Sequence, residues 1–358
     1  MRSFADPAMD DATLRERLEE FLRGRLADAA SVHVTALERS TEGFSAETFT
    51  FDVDVAHDGK VEKRAFVLKR EPLAGLLEPY DLEPEFRVLH ALSAHPLPSP
   101  PTPWLERDPA VLERSFYVMD RLSGDVPIPV AGPDGCGPFT GTERASLGAD
   151  VVDTLAQLHT VDWRGLGLGF LGEPGPGHAA AAREVARWED RIRRSELPLD
   201  PALAEALGWL RRHLPATSHI TLVHGDYRLG NFLVARNAAG ARLSGILDWE
   251  LVHLGDPLED VAWCTSELWR GGTAFASGVM LPEDFVERWA RATGWPPDAD
   301  RLHFYRVLAV VKMIAIMLTG LRAFRDGRTT DLRMAIFDHQ LPYLHLLLGM
   351  LRGWMGGA

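Results

Sequence analysis

Two cysteines occur in 358 residues, Cys136 and Cys264. They stand in unrelated segments, with no Cys-x-x-Cys step and no Cys/His spacing suited to a metal. A disulfide framework and a zinc ribbon are thereby excluded, and a reducing compartment is the expected surrounding. Lysine is also scarce: of 38 basic residues only Lys60, Lys63, Lys69 and Lys312 are lysines. The formal charge is -13 and no Lys/Arg-rich run occurs; neutralising phosphates needs a basic face, so no nucleic-acid partner is expected. The longest apolar stretch, Val307–Leu318, contains Lys312 and falls short of the roughly 20 residues a bilayer requires, so no membrane partner is expected. Met1–Asp11 carries three aspartates and no apolar h-region, which predicts no secretory leader and a cytoplasmic protein.

What is present suits a large core. The chain is 46% hydrophobic and 25% charged, enough for one big domain or two smaller lobes. Leu14, Leu18, Phe21, Leu22 and Leu26 recur at helical spacing. The period then drops to two over Val32–Leu37, Thr48–Val55 and Val61–Arg70, with Asp58-Gly59 as a hairpin turn. Between the first two strands, Ser40–Glu47 offers one glycine and small hydroxyl residues, Ser45 among them, as a candidate phosphate-contacting loop. Read alone, those residues fit an ordinary hairpin connection better. Ser115–Met119 reads as a further strand, Asp120–Gly124 as the break after it, and the Pro- and Gly-rich stretch Pro127–Thr142 as an irregular loop. From residue 143 onward helical patterns dominate, including the stripe Leu147, Val151, Leu155 and Leu158 and the segments Val185–Arg194, Ala202–Leu214 and Arg301–Phe324.

Three motifs carry chemistry. Lys69 ends an apolar strand, where a compact ammonium can reach phosphates as a point charge. Glu85, Val88, Leu89 and Leu92 fall at i, i+3, i+4 and i+7, which places a carboxylate on the apolar stripe of the next helix, and a charge there needs a cation. Lys69 is the nearest candidate, with Glu78 and Glu83 as competing partners for it. The third motif is His224-Gly225-Asp226-Tyr227-Arg228-Leu229-Gly230-Asn231, followed by Ile246-Leu247-Asp248. Short strand-like runs, Ile220–Val223, Phe232–Ala235 and Leu243–Leu247, would present these side chains at their ends, where polar groups converge. An aspartate in the first place can take the proton of an attacking hydroxyl, while an amide and a second carboxylate offer hard oxygen ligands to Mg²⁺, the order that ATP-dependent phosphoryl transfer uses. Downstream, Asp256-Pro257 with Glu259 reads as a helix start, and Asp260 and His224 as groups that tie the loop backbone.

Leu222–Asn231, Ile246–Glu250 and Leu254–Leu258 together resemble the aminoglycoside phosphotransferase and choline kinase superfamily. They are similar within it to the branch of phosphotransferase-like domains found beside acyl-CoA dehydrogenases. The resemblance implies an α+β, protein-kinase-like bilobal fold, with a small N-terminal lobe built on an antiparallel sheet and a larger, mainly helical C-terminal lobe. The expected boundaries are 1–119 for the first lobe with its leading helix, 120–124 for a hinge and 125–358 for the second. ATP is then expected between the lobes. Ser45, Met119 and Leu122 would contact the nucleotide, Lys69 held by Glu85 would orient its phosphates, and Asn231 and Asp248 would hold Mg²⁺. Asp226 would deprotonate the acceptor hydroxyl and Arg228 would stabilise the transferring group. The implied acceptor is a small molecule, an aminoglycoside or a hydroxylated acyl compound. Trp249-Glu250 follows Asp248 where the kinase pattern has Phe-Gly, which puts switching of that loop in question. Two rival readings are a nucleotide-binding pseudokinase and a metal-dependent hydrolase using His224, Asp226, His253 and Asp256.

Overall fold

The computed structural model describes residues 9–40, 46–128 and 137–353, and the chain divides into two compact units. The first comprises the chain up to Ser93 together with Pro100–Arg121 and Ala323–Asp331. It opens with α1 (Asp11–Arg25), whose Thr13 N–H donates to the Asp10 side chain at 2.8 Å and whose Leu14, Leu18, Phe21 and Leu22 are buried. Strands β1 (Ser31–Arg39), β2 (Glu47–His57) and β3 (Lys60–Arg70) follow, then α2 (Glu83–Leu92), β4 (Trp104–Glu106), α3 (Pro109–Leu112) and β5 (Phe116–Asp120). The sheet is antiparallel in the order β1-β2-β3-β5-β4. Asp58 and Gly59 both take positive φ, 46° and 77°, the pair of left-handed residues that matches a two-residue hairpin to strand twist.

Alternation fixes which face the sheet buries. Phe49, Phe51, Val53 and Val55 of β2 and Phe66 and Leu68 of β3 form one core with the apolar side of α1, each aromatic ring contributing about 2–3 kcal/mol by burial. β4 was not anticipated. It takes the sheet edge, so that β5 lies inside, and Asp120, expected to open the break after the strand, is its last residue and pairs with Phe66. Buried Arg70 is satisfied by Glu47 Oε2, at 3.0 Å from Nε and 2.6 Å from Nη2, and by the Leu112 carbonyl at 3.2 Å.

The second unit comprises Ala94–Ser99, Leu122–Arg322 and the chain from Leu332 on. Its elements are α4 (Gly141–Thr160), α5 (Ala179–Ser195), α6 (Pro201–Arg212), β6 (Thr221–Val223), β7 (Phe232–Asn237), β8 (Gly240–Ile246), β9 (His253–Gly255), α7 (Leu258–Thr265), α8 (Pro282–Thr293), α9 (Ala299–Arg325), α10 (Leu332–Ala335) and α11 (Phe337–Leu351). Thr140 and Glu143 form a reciprocal capping box that starts α4 at Gly141, two residues before the end of the loop expected there; part of that loop, with Cys136, lies outside the described residues. Leu147, Val151, Leu155 and Leu158 are fully buried. β6 pairs with β9 and β7 with β8, as two separate antiparallel ribbons. His253–Gly255 is therefore a strand, which the sequence patterns did not mark. Asp256 still caps α7, accepting from Leu258 N–H at 2.9 Å from one residue further out than expected. Among the described residues α9 alone is long and apolar enough to cross a membrane, at 27 residues, but 67% of its most apolar window is buried inside the protein, as in a core helix.

Candidate active site

In the first unit, Lys69 Nζ donates to Glu85 Oε1 at 2.8 Å, and both residues are almost fully buried. Strand alternation turns Lys69 away from Phe66 and Leu68, and α2 presents Glu85 beside Val88, Leu89 and Leu92. The competing carboxylates are engaged elsewhere: Glu83 pairs with Arg107 and Arg87, and Glu78 with Arg328. A buried ion pair returns little stability for its desolvation, so its presence invites a functional account.

In the second unit, the chain leaves β6 and turns at Gly225, where φ is +83° and a side-chain carbon would lie 2.7 Å from the Leu251 carbonyl oxygen; only glycine fits there. Asp260 of α7 clamps this turn, its Oδ2 accepting from His224 N–H at 2.7 Å and its Oδ1 from Gly225 N–H at 2.8 Å. Burial pushes the Asp260 carboxyl up, but His159 and His224 outweigh it and hold the group below the usual aspartate value. His224 Nε2 lies 3.0 Å from the Leu247 carbonyl, which can only accept, and its Nδ1 accepts from Asp226 N–H at 3.1 Å. This defines a neutral ring, and burial holds its pKa below the ordinary histidine value despite Asp260 and Asp226.

Asp226 emerges from the turn with its carboxylate oriented from three sides. Trp263 Nε1 donates to Oδ1 at 2.8 Å, Arg228 Nε to the same oxygen at 3.0 Å, and Asn231 Nδ2 to Oδ2 at 2.6 Å. Arg228 is thus on the candidate base and stacks at 4.4 Å over Trp269. Asn231 Nδ2 is also bonded to the Asp226 carbonyl at 2.9 Å, so the amide oxygen is the atom it can offer a cation. The Asn231 carbonyl accepts from Leu247 N–H at 2.8 Å, which ties the amide's turn to the residue before Asp248. Asp248 is half-buried with φ at +59°, while the next residue, Trp249, is fully buried, donates from Nε1 to the Ile246 carbonyl at 3.0 Å and lies 4.7 Å from the His224 ring. An amide oxygen and a carboxylate are hard donors of the kind Mg²⁺ takes.

The remaining expected nucleotide contacts are placed separately. Met119 sits in β5 opposite Val67, in the first unit. Leu122 belongs to the second, where its Cδ1 fills the space a side chain at Gly245 would need. Ser45 lies outside the described residues. The four hydrolase candidates do not converge: His224 is spent on Leu247 and Asp226, His253 Nε2 faces Glu259 at 3.1 Å, and Asp256 faces Leu258 and Arg301. Sequence reasoning did not find Trp263 or His159 as supports of the loop. Both act from tens of residues away, and a buried Trp or His by itself is ordinary core.

The two units carry a kinase-like aminoglycoside phosphotransferase fold. A crystal structure from Ralstonia eutropha JMP134, provisionally described as an aminoglycoside phosphotransferase, is similar at a TM-score of 0.72 and 25% identity, covering 94% of this chain and 97% of that one. A thermostable aminoglycoside phosphotransferase variant in ternary complex with ADP and hygromycin B is similar at 0.56 and 17%, over 95% and 99%, which speaks to the fold. The pattern of the phosphotransferase enzyme family matches residues 41–305, and the chain belongs to that family. Acyl-CoA dehydrogenase family member 11 of Gallus gallus is 31% identical over 271 residues, 71% of this chain and 33% of that protein. The chain spans about a third of the length of the curated relatives it matches.

Proposed function

We propose that the protein transfers the γ-phosphoryl group of ATP to a hydroxyl of a small molecule, with Mg²⁺. The observation that carries this reading is the Asp226–Asn231 pair, hydrogen-bonded to each other on a loop whose backbone Asp260 clamps, in a chain of the phosphotransferase family. Asp226 orients the acceptor hydroxyl and takes its proton as the oxygen bonds to the γ-phosphorus and the bond to the β–γ bridging oxygen breaks, leaving ADP and a phosphate monoester. Lys69, fixed by Glu85, steadies the α- and β-phosphates; Asn231 and Asp248 hold Mg²⁺, which when bound neutralises the triphosphate. Arg228, already on Asp226, lies near the charge that the transferring group carries. Asp248→Ala tests the metal assignment: calorimetric titration with Mg·ATP is expected to lose its metal-dependent part while the fold persists. Unchanged, metal-dependent affinity would remove Asp248 from the site.

One observation bears on the acceptor. A pocket of about 970 Å³ lies against α8 and the start of α9. Arg270, the residue after the Trp269 that carries Arg228, lines it together with Arg291, Arg306, Glu283 and Glu287. Burial and the neighbouring Arg270 hold the Arg306 pKa below its ordinary value, with Glu267 opposing, and Arg270 Nε is buried without a hydrogen-bond partner. Arg291 is paired with Glu287 and Arg270 with Glu267, so the wall is mixed in charge and suits either a hydroxylated acid or an aminoglycoside. ADP release with the two compound classes side by side decides between them.

A further inference from the structure

Behind the loop that carries Asp226 runs a row of alternating charges. Arg187 Nη1 lies 3.5 Å from Glu184 Oε2, and Glu184 Oε1 lies 3.6 Å from His253 Nε2. The same nitrogen is 3.1 Å from Glu259 Oε2, and Glu259 Oε1 is 3.4 Å from Lys312 Nζ. The row ends at the loop, where Lys312 Nζ donates to the Gly225 carbonyl, the residue before Asp226. His253 Nδ1 lies 2.9 Å from the Leu251 carbonyl, which can only accept, and its Nε2 faces two carboxylates, so both ring nitrogens carry protons and the ring is a cation. Glu184, His253 and Glu259 are close enough together to bind a metal. The imidazolium, Arg187 and Lys312 already outnumber the two carboxylates, however, and no metal is needed to hold them.

Lys312 is the member of this row that reaches the chemistry. Its ammonium lies 4.6 Å from the centre of the Trp263 ring and 5.4 Å from that of Trp188, and it is almost fully buried. Trp263 is the indole whose N–H holds Asp226 Oδ1. Lys312 therefore touches Asp226's setting twice, through the carbonyl before it and through the ring that donates to it. An apolar side chain of equal length would fill the space between two indoles without the cost of burying a charge. What lysine adds there is a donor and a positive charge.

We propose that Lys312 is a positioning residue for Asp226, its ammonium pinning the Gly225 carbonyl and the Trp263 ring so that the carboxylate waits in the orientation the acceptor hydroxyl requires. The proposal rests on the phosphotransfer reading for its catalytic meaning, while the pinning itself is a property of the loop. Two variants test it, Lys312→Met and the double variant Lys312→Met/Glu259→Gln, in which no carboxylate is left unpaired. Hydrogen exchange of residues 223–231, followed by mass spectrometry, is expected to quicken about tenfold or more in both, with α1 and the strands of the first unit unchanged. Turnover is expected to show a lower kcat with Mg·ATP affinity, measured by calorimetry, and KM for ATP unchanged. Unchanged exchange in both variants overturns the proposal. So does a general rise in exchange across the second unit of the double variant with a matching fall in melting temperature, because that marks a merely structural lysine. Absence of ADP release by the wild-type protein with every hydroxyl compound would sink the phosphotransfer reading instead, and the exchange comparison would still decide whether Lys312 pins the loop.

Discussion

Lys69 and Lys312 are the two buried lysines among the four in the chain, and they meet the cost of burial differently. Lys69 stands on a strand and meets Glu85, sixteen residues on, in the next helix. Lys312 stands in the middle of α9 and meets Glu259 and Gly225, which are 53 and 87 residues upstream. The first is a local pair between consecutive elements; the second closes a long-range network. A local pair can be read from periodicity, because the strand and the helix each announce which face they bury. A long-range network has no such signature, and its lysine shows only as one charge in an apolar helix.

The sharpest way to break this contrast is to remove Glu259. Its carboxyl, pushed up by burial, is brought down to about 2 by His253 and Lys312, so Glu259→Ala leaves two buried cations short of a partner. A loss of about 3–5 kcal/mol is expected, read as a lower midpoint in denaturant with the slope retained. A loss within error would mean that the network is solvated and that the two lysines are not alike in burial.

Next in size is the candidate base that Lys312 is proposed to position. Asp226→Asn keeps the side-chain volume and removes the proton acceptor, so kcat should fall by about 10²-fold or more while Mg·ATP affinity, measured by calorimetry, is retained. Near-normal phosphoryl transfer would remove Asp226 from the role of base.

The local pair is then tested by a cycle. Lys69→Met and Glu85→Gln should each lower kcat/KM, and the double variant should fall short of the sum by about 0.5–3 kcal/mol, because both act through one contact. Additive losses would show that the 2.8 Å contact carries nothing.

The smallest expected effect is a pH dependence. Burial pushes His253 down, but Glu184 and Glu259 outweigh it and raise its pKa above 6.5, with Arg187 opposing. A raised folded value stabilises fully below the unfolded value and is lost as pH rises through the folded one. The depressed Glu259 works the other way, stabilising above about 4.5 and losing its contribution as pH falls toward 2. The difference in melting temperature between wild type and His253→Gln should therefore be largest from about pH 5 to 6.5 and shrink at higher pH. A constant difference from pH 5 to 9 would show that the ring is neutral throughout.

Much of the fold was legible because its periods are clean. Phe49 to Val55 alternates, Leu147 to Leu158 recurs at helical spacing, and Asp58-Gly59 marks its own turn. β4 and β9 were not legible: each is three residues long, too short for a period to show, and each exists only through its partner strand. At the candidate site, the glycine, aspartate and asparagine of the loop stood out as a constellation, and Asp260 announced itself from the first turn of a helix. Trp263 and His159 did not, since each is an ordinary buried residue until the fold brings the loop to it, and Glu259 was read only as part of a helix start. Lys312 was visible and was read only as an interruption in an apolar run, although lysine scarcity singled it out as it did Lys69.

Trp249 has a consequence for how such a protein could be governed. A loop that turns itself on and off must have two resting places of similar free energy. Withdrawing a fully buried tryptophan from its packing costs about 3–5 kcal/mol, which leaves an alternative in which the neighbouring Asp248 swings away in fewer than about one molecule in a hundred. In the proposed reading the segment therefore keeps a single resting place from the moment the chain folds.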